Sequence, residues 1–175
     1  EIPVNTQSNI EALGRYVSYT NGKPGRIDIN GKGDHFELTL AHEVGHFLDQ
    51  QAIVTPGSFA SARTPTMQQW RDAVNQSRAV QQLRFMRQNL GDHTQEIAVG
   101  GTSYQVGPNA KYLDYLLESE ELWARSYAQY IATRSGNTVM QAQVAAIRSD
   151  TLYGSAQWDD DDFASIGGAI DDLFA

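Results

Sequence analysis

The chain has no cysteine among its 175 residues. Disulfides are excluded, and so is any metal centre built on thiolates, so a metal site must draw on histidine and carboxylate. The absence does not fix a compartment, because secreted domains also fold without cysteine. No apolar run is long enough to cross a bilayer, which takes about 20 residues. No signal-peptide pattern opens the chain, which starts at Glu1 rather than Met. That start leads to the expectation of a processed form, or of a domain secreted or delivered as part of a larger protein. Positive charge is scarce as well: 13 Lys and Arg stand against 21 Asp and Glu, a formal net charge of -8. This balance disfavours nucleic acid as a general partner.

What is present is ordinary for a globular protein, with 41% hydrophobic and 19% charged residues. The length suits a single domain, 1–175, large enough to bury a core. Charge is uneven along it. Residues 63–90 carry five arginines against Asp72, whereas 148–175 carry seven aspartates and one arginine. The expectation is two solvated faces that attract each other; the sharper alternative is a basic groove wall that selects an acidic substrate or partner.

The informative stretch is 39–49, Thr-Leu-Ala-His-Glu-Val-Gly-His-Phe-Leu-Asp. Four residues of α-helix turn through about 400°, so His42 and His46 project from one face about one turn apart. Both imidazoles can then reach one Zn²⁺ at about 2.0–2.1 Å. Glu43 is rotated about 100° from His42 and cannot share the metal symmetrically, but it can take a proton from a water bound there. Leu38, Ala41, Gly45 and Leu48 recur at helical spacing, which reads as a buried helix, and Gly45 leaves room for another element to pass close by.

Before this helix, Tyr16–Tyr19 with the turn signal Asn21-Gly22, and Arg26–Ile29 with its alternating pattern, read as short strands. The Arg26–Ile29 strand has the pattern of one buried face and is placed to form an edge along which an extended peptide could pair. Asp34 with Glu37 forms a capping-box pattern, and His35 reads as a surface histidine. After the helix, loop chemistry around Pro56-Gly57 leads to Thr64-Pro65, the start of one long helix to about Leu90 with a Met67, Trp70, Val74, Val80, Leu83 stripe. Gly100-Gly101 and Gly107-Pro108 bracket a second irregular or strand segment.

A catalytic zinc usually has three protein ligands. The acid-rich helix around 118–131 is the best donor of the third. Glu121, Ala124, Ala128 and Ile131 share a face whose small residues permit close approach, with Glu118 near the same face. Ser119 is placed to cap this helix. Asp150, in Asp-Thr-Leu-Tyr-Gly, is a weaker competitor. Asn137 caps a helix over 138–148, and Asp159–Asp162 precede a last helix, where acidic residues suit the dipole. The aspartate run lacks EF-hand spacing, and calcium there is the lesser reading.

His-Glu-Val-Gly-His-Phe-Leu-Asp, at 42–49, resembles the zinc helix of the glutamate-zincins. It is nearest to the branch of anthrax lethal factor-like and phage- or polyvalent-protein-associated metallopeptidase domains. Glu121-Leu-Trp-Ala-Arg-Ser-Tyr127 resembles that branch's third-ligand helix, and residues 157–163 are similar to the close of the phage-associated domains. The resemblance implies a mainly helical α+β, zincin-like fold with a small N-terminal sheet. It implies that Glu121 is the third ligand, and that a tyrosine ahead of it, Tyr115 or else Tyr112, faces the oxyanion. We take Tyr115. Lethal factor has Glu where this chain has Arg125, so a supporting carboxylate is missing or supplied elsewhere. Asp49 is placed to hold a ligand histidine or to end the helix. The expected activity is zinc-dependent hydrolysis of a protein or peptide substrate, with Glu43 as general base. The alternative is a catalytically silent zinc-binding module, which has no need of a base at Glu43.

Overall fold

A computed structural model describes residues 2–8, 10–18, 25–53, 58–99 and 101–175. The protein is α+β, 63% helical, with a small sheet. Strands β1 (Val4–Gln7), β2 (Gly14–Val17) and β3 (Arg26–Asn30) form that sheet in the order β1-β3-β2, with β3 parallel to β1 and antiparallel to β2. The expectation for Arg26–Ile29 is corrected here. The strand is central, not an edge, and Asp28 is as buried as Ile27 and Ile29 on the opposite face. The edge beside the following helix belongs to β2. The Asn21-Gly22 and Pro56-Gly57 turns lie outside the described residues.

Helix α1 (Phe36–Phe47) carries the two motif histidines and buries Leu38, Ala41 and Gly45. Asp34 does not cap it. His35 stands at the N-cap in a left-handed conformation, φ 61°, without a side-chain cap bond. The cap comes instead from a distant helix, where Gln143 accepts from the Leu38 N–H at 3.0 Å and donates to Glu37 at 2.6 Å. Past Phe47 the helix widens into a π-helical turn, Leu48–Ala52.

The expected long helix over 65–90 is two. A 3₁₀ turn (Pro65–Met67) follows the short α2 (Ala60–Arg63) and leads into α3 (Gln68–Gln76), which is separated from α4 (Arg78–Gln88) by Ser77 in extended conformation. Ser77 Oγ accepts from the Val80 N–H and from Trp158 Nε1, so it caps α4 and ties the break to the C-terminal segment. The apolar stripe survives because Met67, Trp70, Val74, Val80 and Leu83 are all buried. A 3₁₀ turn (Leu90–His93) precedes the antiparallel hairpin of β4 (Gln95–Val99) and β5 (Thr102–Val106).

Helices α5 (Ala110–Leu116) and α6 (Ser119–Arg134) meet at a sharp elbow, with Glu118 rather than Ser119 at the N-cap of α6. Helix α6 is buried around most of its circumference, the mark of a central core helix. One face meets Trp70, Trp158, Phe163, Ile166 and Ile170; another meets Leu38, Ala41, Met140 and Val144. Each large apolar side chain buried here contributes about 1.5–3 kcal/mol. Helix α7 (Thr138–Arg148) is capped by Asn137, as the sequence leads one to expect; α8 (Asp160–Phe174) is capped by Asp159, and Asp160–Asp162 form its first turn rather than preceding it. Among the described residues, no helix is long and apolar enough to cross a membrane.

The basic and acidic segments meet each other. Arg78 pairs with Asp159 at 2.8 Å, and the Asp162 carboxylate accepts from the Arg78 and Ala79 N–H groups, capping α4 across the chain. These aspartates thus act as caps and ion-pair partners, and the arginines of 63–90 form no wall of the cleft described below.

Candidate metal centre and its cleft

Helices α1 and α6 cross where both are narrow. A Cβ added to Gly45 would lie 2.9 Å from Ala124 Cα, and the Gly45 carbonyl accepts from Trp123 Nε1 at 2.9 Å. This approach carries Glu121 onto the histidine face of α1. His46 Nε2 stands 3.1 Å from Glu121 Oε1, His42 Nε2 3.4 Å from Glu121 Oε2, and the two Nε2 atoms 3.1 Å from each other. Among the described residues, His42, His46 and Glu121 are the one set of three His, Asp or Glu groups converging closely enough to hold a metal ion. A tetrahedral ion with bonds of about 2.0–2.1 Å spaces its donors about 3.3–3.4 Å apart, close to what the three side chains show. The two Nε2 atoms face each other, and Glu121 Oε2 is buried beside His42 Nε2. Glu118 is exposed and lies outside the cluster, as do Asp150, which closes a turn on the Leu152 and Tyr153 N–H groups, His35 and His93.

Electrostatics follow from this packing. Burial opposes ionisation of Glu121, but bonds and charge from His42 and His46 outweigh it and hold the carboxyl far below its usual range. Burial likewise lowers the affinity of His46 for a proton, and Glu121 more than restores it. Glu43 is 5% exposed, and burial raises its pKa; the histidines and the Tyr16 main-chain N–H pull the other way. A buried carboxyl whose pKa is raised binds a proton more readily than a solvated one.

A cleft of about 330 Å³ opens over the cluster, floored by Glu43, His46 and Glu121 and walled by β2, Gln50, Phe59 and Tyr115. Tyr115 therefore belongs to the cleft. Burial first, then the adjacent Glu121, push its phenol pKa far up, so the hydroxyl keeps its proton. Tyr112 packs edge-on against Tyr153 with centroids 4.8 Å apart and does not line the cleft. A larger cavity, about 850 Å³, runs along α4 and the 150s and contains none of the cluster residues.

Asp49 does not hold a histidine. It is fully buried and accepts from the Ser61 N–H at 2.7 Å and the Ser61 hydroxyl at 2.6 Å, anchoring α2. Arg125 occupies the place where the resemblance has a carboxylate. Its guanidinium is buried, donates to the Leu116 and Ala156 carbonyls and lies 5.4 Å over the Trp158 ring. Burial lowers its pKa to about 10.

Sequence reasoning missed the share of β2 in the site. Gly14 passes so close to Glu43 that a Cβ there would stand 3.0 Å from Glu43 Cγ, and Arg15 and Tyr16 line the cleft. The one available signal was Gly14 opening a strand-like run.

No protein-family model, curated protein or solved structure matches this chain.

Proposed function

We propose that the chain is a zinc metallopeptidase of the glutamate-zincin type, with a zincin-like domain, and that it hydrolyses peptide bonds in a protein or peptide substrate. One observation carries this reading: Glu121, from a separate helix, meets His42 and His46 at metal-ligand spacing while Glu43 faces the same cleft. His42, His46 and Glu121 are the residues that would hold Zn²⁺. Nitrogen and carboxylate donors, three in number, are a set catalytic zinc accepts. When bound, zinc supplies a Lewis acid for the scissile carbonyl and acidifies water.

The remaining steps belong to the chain. Glu43 removes the proton from the attacking water and returns it to the leaving amine. The Tyr115 hydroxyl, kept protonated by its surroundings, donates to the carbonyl oxygen as that atom becomes anionic. Phe59 and Tyr115 line the cleft in which the reacting atoms would sit. The buried base at Glu43 favours this reading over a silent zinc module.

The test is zinc content followed by cleavage. Wild type should hold about one zinc; Glu121→Ala should lose it and Glu118→Ala keep it. The zinc-loaded protein should cleave a peptide library and Glu43→Gln should not. A folded wild type that binds no zinc would overturn the peptidase reading.

A further inference from the structure

Resting on the peptidase reading, we infer that Gly14 is a positioning residue for Glu43: its bare backbone leaves the space beside β2 in which the side chain of the base lies. Strand β2 is an edge of its sheet, paired with β3 alone. The Asn30 N–H donates to the Leu13 carbonyl at 2.8 Å, and the register continues with Gly14 opposite Ile29 and Tyr16 opposite Ile27. Hydrogen-bonded and non-bonded pairs alternate along an antiparallel ladder. Gly14 and Tyr16 therefore turn their main-chain N–H and carbonyl groups away from β3, toward the free edge. The Tyr16 N–H meets the Glu43 carboxylate there and favours its charged form. The close approaches of His42 and His46 run to Glu121, not to Glu43. Packing against β2 thus sets where the Glu43 carboxylate stands.

Space, not backbone freedom, is what this glycine supplies. Gly101 and Gly136 are the glycines with positive φ among the described residues, and Gly14 is not one of them. A Cβ at Gly14 would stand 2.7 Å from Thr39 Cγ2, 3.0 Å from Glu43 Cγ and 3.0 Å from Glu43 Oε1. Thr39 and Glu43 lie one turn apart on the same side of α1, so strand and helix meet at these two side chains. An added methyl group forces one of them to yield. Thr39 is β-branched and stiff at χ1, whereas Glu43 is longer and freer to turn. The base is therefore the group that moves, away from Gly14 and from the Tyr16 N–H. A shift of about 1 Å in a reacting group costs about 10²-fold in rate.

The experiment separates the two contacts in the full chain. Thr39→Ser deletes Cγ2 and leaves Glu43 as the nearest neighbour of an added Cβ. Alone, it should melt and cleave like wild type. Zinc-loaded Gly14→Ala with Thr39→Ser, assayed on a library peptide that wild type cleaves, should keep its zinc and lose about 10–100-fold in kcat. KM should stay within about threefold, whereas a cleft distorted as a whole would move KM and zinc content too. The second readout needs no turnover: thermal melting of the metal-free proteins in a double-mutant cycle. Gly14→Ala should be less favourable by about 2–4 °C with Glu43 present than with Glu43→Ala, both in the Thr39→Ser background. With Glu43→Ala it should leave the melt unchanged or raise it, because glycine within a strand is entropically costly. An undiminished kcat, a fall in kcat accompanied by loss of zinc, or a Gly14→Ala effect on melting that is the same with and without Glu43 overturns the inference. So does a Gly14→Ala chain that fails to fold with Thr39→Ser and Glu43→Ala both in place, since Gly14 would then serve strand packing alone. Failure of the peptidase reading shows differently: zinc-loaded wild type would cleave no peptide while the melts still coupled Gly14 to Glu43.

Discussion

A methyl group on Gly45 would have to occupy space 2.9 Å from Ala124 Cα, in the backbone of α6. The candidate metal-binding cluster depends on this missing side chain, since the same crossing delivers Glu121 to His46. Gly45→Ala should therefore be harmful even though alanine is the better helix former by about 1 kcal/mol. The obstacle is backbone and cannot swing away, so helices must part, at a net cost of about 1–3 kcal/mol. Thermal melting and zinc affinity should fall together. An unchanged melt with normal zinc binding would show that the helices have room to spare.

The histidine helix was legible because its information is local: spacing of four, an adjacent glutamate and small residues at helical period. Ala124 and Ala128 marked the approaching face of α6, but spacing alone left Glu121 little ahead of Glu118, and the resemblance was what singled Glu121 out. What escaped notice depends on three-dimensional neighbours. Ser77 sits within an uninterrupted apolar stripe, and only Trp158 and Asp162, more than eighty positions away, reveal that it ends one helix and starts another. Asp34 matched a capping pattern, yet Gln143 does that work from α7. Arg26–Ile29 alternates like a half-buried strand, but Asp28 is buried because Arg15 and Arg26 cover it, a pairing that follows from strand order. For the same reason β2, not β3, borders the cleft.

Metal-free and metal-loaded protein should respond to pH in opposite directions. Without metal, the raised His46 pKa reflects a protonated imidazole held by Glu121. A group whose folded pKa lies above its unfolded value, about 6.5 for His, stabilises fully below that value and loses the contribution as pH rises through the folded pKa. The melting temperature with chelator should thus decline from pH 6 toward pH 8. With zinc present, binding requires neutral imidazoles, so stabilisation should grow over the same interval. Parallel slopes in thermal melts with and without zinc would contradict the assigned ligands.

Arg125 marks the clearest departure from the lethal factor-like pattern, and restoring that pattern should fail. Arg125→Glu would put a carboxylate one helical turn from Glu121, in a site whose nearest partners, the Leu116 and Ala156 carbonyls, are themselves acceptors. Removing the donor alone, as in Arg125→Met, leaves those buried carbonyls unpaired at about 1–3 kcal/mol each. Urea denaturation should show a loss of about 2–4 kcal/mol for Arg125→Met and a larger one for Arg125→Glu. A stable Arg125→Glu protein would mean that this position tolerates either charge.

Tyr115 separates chemistry from architecture. The residue is 40% exposed, so deleting the hydroxyl should barely disturb packing. The hydroxyl nevertheless faces the cleft shared by Glu43 and Glu121. An oxyanion donor acts more strongly in the transition state than in the ground state, and losing one typically lowers kcat by about 10²–10³. Tyr115→Phe should reduce kcat by that order, with KM within about threefold and the melting temperature and zinc content unchanged. Tyr112→Phe, whose ring rests on Tyr153 outside the cleft, should leave kcat near wild type. A Tyr115→Phe enzyme with undiminished kcat would assign the ring to shaping the cleft, and would move stabilisation of the oxyanion to the metal alone.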